Sequence, residues 1–119
     1  MKDWREEMER EFERATQARA RGNEGQARVC ARRAAGIAAR EYLTRRGEGV
    51  RTASAYDLLN LLKDDPRLSS DLKFIADHLT LRVNEEFRLP VNVDLIGEAR
   101  KFCEELFKNQ IDPKGLKDL

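Results

Sequence analysis

The chain's one histidine, His78, lies in the stretch DLKFIADHLTL. A single histidine cannot build a multi-histidine metal site, and Asp71 and Asp77 beside it are poor evidence for ligation. A structural or surface role is expected for it, with no metal or other cofactor. Ser54, Ser69 and Ser70 carry nucleophile-type hydroxyls but stand where helices begin, and they read as helix caps. GNEG has neither the lysine nor the spacing of a phosphate-binding loop. Glu6, Glu7, Glu9, Glu11 and Glu13 recur as a solvated helix face, Asp64-Asp65 reads as a helix end, and Glu85-Glu86 falls in a loop to which the sequence brings no partner. Cys30 and Cys103 sit inside apolar helical patterns without CxxC spacing, which predicts two buried, reduced thiols.

The other chemistry-bearing group is a set of arginines in QARVCARRAAGIAAREYLTRRG. At about 100° per residue, Arg28, Arg32, Arg33, Arg40 and Arg46 fall on one arc of a helix. The opposite arc holds Ala27, Cys30, Ala31, Ala34, Ala35, Ile37, Ala38 and Tyr42, small enough in the main to let helix axes approach closely. That side is the expected packing centre. The arginine arc has three readings: an ordinary solvated face using arginine's helix propensity, a phosphate or nucleic-acid grip, or a docking surface for a partner or a second copy. No aromatics interleave with the arginines as a single-strand stacking platform requires. Residues 1–52 carry 13 basic against 9 acidic side chains and residues 53–119 carry 10 against 13, so the halves differ in sign, at +4 and −3.

The elements that must position these residues are all helical. Trp4, Met8, Phe12, Ala15 and Ala18 recur at steps of three and four, and Gly22 ends that first helix. Asn23 is the expected N-cap of the second, with Gln26 in the reciprocal capping position, and the helix runs to Gly47. A short turn between two long helices makes them antiparallel. Ser54 and Asp57 form a capping-box pattern ahead of Tyr56, Leu58, Leu59, Leu61 and Leu62, and this short helix stops before Pro66. Ser69 or Ser70 caps a fourth helix with Leu72, Ile75, Ala76, Leu79 and Val83 on its inner side. NEEFRLPVNV reads as a crossing loop. From about Asp94 a last helix presents Leu95, Ile96, Ala99, Phe102, Cys103, Leu106 and Phe107. No run alternates as a strand would.

Composition agrees with this. The chain is 40% hydrophobic and 38% charged, as expected for one domain of helices with solvated outer faces. A net charge of +1 gives no global field for nucleic acid or membrane. No apolar run approaches the roughly 20 residues of a membrane span. MKDWREEMERE lacks the apolar stretch of a secretory signal, so a cytoplasmic location is expected.

With the helices placed, the chain resembles the HEPN family of small helical-bundle proteins. NEGQARVCARRAAGIAAREYLTRRG is similar to the family's Ala-rich second helix. SAYDLLNLL is similar to its following short helix, with Tyr56 where the family often has histidine. FRLP, from Phe87 to Pro90, followed by Glu98-Ala99-Arg100, resembles the family's Arg-Tyr-Pro and the helix after it, with Leu89 for the tyrosine. The resemblance implies a bundle that is often a homodimer, associated with RNA or nucleotide biology and frequently with a minimal nucleotidyltransferase in toxin–antitoxin systems. Some members are metal-independent ribonucleases that use an arginine followed, four to six residues on, by a histidine, the two meeting at the dimer interface. That motif is not matched here. Lys73, five positions before His78, is the nearest equivalent, and it lacks arginine's bidentate fork. Neither Arg82 nor Arg88 has a histidine after it.

The combined expectation is an all-α, up-and-down bundle of four main helices plus one short helix, HEPN-like, over residues 1–111 with a frayed tail at 112–119. Its expected role is that of a non-catalytic interaction module, a homodimer beside a nucleotidyltransferase-type or nucleic-acid-linked partner and away from membranes. The alternative is an atypical metal-independent ribonuclease or an RNA- or nucleotide-binding protein. In it Arg28, Arg32, Arg33, Arg40, Arg46 and Arg88 hold phosphate or partner, and Lys73 and His78 are the weak catalytic pair.

Overall fold

The computed structural model describes residues 3–48, 50–81 and 93–108, and every regular element among them is helical. In chain order these are α1 (Trp4–Ala20), α2 (Glu24–Arg45), α3 (Ala55–Lys63), α4 (Ser70–Leu79) and α5 (Leu95–Lys108). The expected frayed tail, Val83, Arg88 and all of the expected crossing loop over 84–93 except Val93 lie outside the described residues. None of the helices is long and apolar enough to cross a membrane. At ten residues, α4 is close in length to the nine-residue α3, so there are three long helices and two short ones.

Local chemistry sets the helix ends. Asn23 Oδ1 accepts from the Gln26 backbone N–H at 3.1 Å and starts α2. The Gln26 side chain does not return to the cap as expected, because its amide donates to Cys30 Sγ at 3.5 Å instead. Ser54 Oγ accepts from the Asp57 N–H at 3.2 Å, and Thr52 completes that box: its hydroxyl accepts from the Ser54 N–H at 3.0 Å and donates to Asp57 Oδ2 at 3.2 Å. Ser69 caps α4 through the Leu72 N–H. Gly22 and Gly47 close α1 and α2 at φ +80° and +78°, a left-handed conformation that side chains with a Cβ resist.

Helix α2 is the axis of the fold. It packs against α1, α5 and α3, while α4 rests on α3 and α5. Ala27, Ala31, Ala34, Ala35 and Ala38 are fully buried, so the small-residue stripe is the packing centre that its spacing predicts, except at Ile37, which is only half-buried. The close approach continues at Gly36, where an added Cβ would lie 2.5 Å from Ala55 Cβ and 2.8 Å from Ala55 Cα. The start of α3 therefore sits directly on α2.

The seam between α1 and α5 is narrower. It is closed by Arg100, whose guanidinium lies 4.2 Å from the centre of the Phe12 ring and donates to both carboxylate oxygens of Glu9 at 3.2 Å. Arg19 ties three elements together, pairing with Glu24 at 2.7 Å and with Asp94, just before α5, at 2.8 Å. Hydrogen bonding to that guanidinium holds the Glu24 and Asp94 carboxyls below the usual carboxylate range.

Candidate functional site

The five arginines of α2 share an arc in the sequence but not a surface in the fold. On the same numbering, Ala39, Leu43 and Gly36 fall at about 20°, 60° and 80°, inside the arginine arc, and all three are buried. The N-terminal end of α3 lies on Gly36 and divides the arc.

Three of the arginines are engaged internally. Arg32 lies beyond the C-terminal end of α4 and donates from Nε to the Leu79 carbonyl at 2.7 Å and from a terminal nitrogen to the Leu81 carbonyl at 3.4 Å. Helix-end carbonyls lack intrahelical donors and carry partial negative charge, which a guanidinium satisfies on both counts. Arg46 donates to the Tyr42 hydroxyl, lies 3.6 Å from Asp65 Oδ2 and reaches Glu48 at 3.9 Å. Burial raises the Tyr42 hydroxyl above its usual range, so it stays neutral and able to accept. Arg40 donates to the Thr52 carbonyl at 3.0 Å. Arg33, by contrast, is exposed and has no hydrogen-bond or ion-pair partner among the described residues, while Arg28 is half-buried near Glu24.

Replacing Arg32 by alanine is expected to lower stability by about 2 kcal/mol, the cost of a charge-assisted bond to buried carbonyls. Urea titration checks this. Full stability in Arg32→Ala would return the guanidinium to the list of groups free for a ligand.

His78 is buried, and its Nδ1 lies 2.7 Å from Glu98 Oε1 on α5. Phe74 covers it edge-on, with ring centres 4.3 Å apart, while remaining 62% exposed itself. Lys73 is half-buried on α4, and a five-residue separation turns its side chain about 140° away from His78. Lysine and histidine therefore do not converge on one point. Glu98 was legible only as part of the Glu98-Ala99-Arg100 stretch; its pairing with His78 comes from α5 packing on α4.

The cysteines are unpaired and buried, as their apolar setting predicts. Burial pushes the Cys103 thiol up to about 12, which keeps it protonated and a weak nucleophile. Among the described residues no group of three or more His, Cys, Asp or Glu is placed to hold a metal ion.

A groove of about 520 Å³ has α2 as its floor, α1 as one wall and α3 as the other. Val29 and Ile37 are half-buried on the floor, and Leu58 and Tyr56 line the α3 side. Glu7 and Glu11 stand on the α1 wall, and Arg33 and Arg40 rise from α2. Glu11 Oε2 accepts from Arg14 at 3.1 Å, but its Oε1 is buried without a hydrogen-bond partner among the described residues. Sequence reasoning placed Glu7 and Glu11 on a plain solvated face. Only the position of α3 turns that face into a groove wall.

The chain matches no protein-family model, and no curated protein and no solved structure is significantly similar to it. The functional reading therefore rests on the geometry, with the HEPN resemblance beside it.

Proposed function

We propose that this chain is a non-catalytic, HEPN-like interaction module that works as a homodimer beside a nucleotidyltransferase-type or other nucleic-acid-linked protein. The observation that carries the reading is the engagement of the chemistry-bearing side chains inside the fold. Arg32 and Arg40 donate to main-chain carbonyls, Arg46 to Tyr42 and Asp65, and His78 meets Glu98. Handling a phosphodiester requires a proton-transferring group and a cation aimed at one external point. The groove between α1, α2 and α3 is instead built for contact, with an apolar floor and charged rims.

The alternative, RNA or nucleotide binding by the arginine face, is favoured by one observation, the exposed and unpartnered Arg33 among the described residues. Sedimentation of the protein with and without a mixed pool of short RNAs, at low and at moderate salt, separates the two. The expected result is a dimer that leaves RNA unshifted and intact at both salts. Salt-sensitive co-sedimentation would transfer the function to Arg28 and Arg33, because each phosphate contact releases counterions. A strict monomer would remove the dimer and leave the module.

A further inference from the structure

We draw no further inference here: the strongest candidate, the half-buried apolar floor of the groove between α1, α2 and α3, has its acidic residues Glu11 and Glu41 already paired with Arg14 and Arg45, and nothing in the structure shows what covers it.

Discussion

Phe12→Ala should lower the unfolding free energy by about 3–5 kcal/mol, the range for emptying a fully buried aromatic site. Phe12 is 1% exposed and belongs to the same cluster as Ala35, Phe102 and Leu106. Its ring is also the platform for Arg100, which bridges to Glu9 and closes the α1–α5 seam. The substitution removes the ring's apolar contacts and the cation–π contact together. The measurement is equilibrium urea unfolding at several protein concentrations. In the sequence, the Trp4–Met8–Phe12 stripe is equally consistent with an inward face and with a seam between two chains. An inward face makes the loss independent of protein concentration. A loss that shrinks as concentration rises would assign Phe12 to an inter-chain contact.

Arg46→Met should cost about 3 kcal/mol. The Arg46 side chain is 12% exposed and that of Asp65 is 7% exposed, and removing one member of such a pair leaves the other charge desolvated. The lower end of the range for broken buried pairs applies, because Asp65 Oδ1 still accepts from the Arg67 N–H at 2.9 Å and from its side chain at 3.1 Å. At 3.6 Å the contact of Asp65 Oδ2 with Arg46 is electrostatic and too long for a hydrogen bond, so Asp65 Oδ2 depends on the charge alone. For a chain of this size the loss corresponds to a fall in Tm of roughly 10 °C. Paired with Asp65→Asn, the double variant should lose less than the sum of the two single losses, since both act on one interaction. Wild-type stability in Arg46→Met would mean that its guanidinium is free for phosphate after all.

Both expectations concern residues whose role depends on neighbours distant in the chain, and there the sequence and the structure differ in what they reveal. The helices and their ends were legible because their causes are local. Asn23, Ser54 and Ser69 cap through N–H groups within three residues, Gly22 and Gly47 stop helices by backbone conformation, and the apolar steps along α1 and α5 follow a period of about 3.6 residues. The alanine stripe of α2 announced a close packing surface for the same reason.

The candidate site was not legible in that way. A helical projection puts Arg28, Arg32, Arg33, Arg40 and Arg46 on one arc, but it cannot show that α3 lands on Gly36, or that α4 ends beside Arg32. Nor can it show that Asp65, from the turn after α3, and Glu98, from α5, arrive to meet Arg46 and His78. Periodicity and capping are properties of a few consecutive residues, so the chain writes them in order. Which charges face solvent, which face one another and where a groove opens depend on how separate helices meet, and only the packed core decides that.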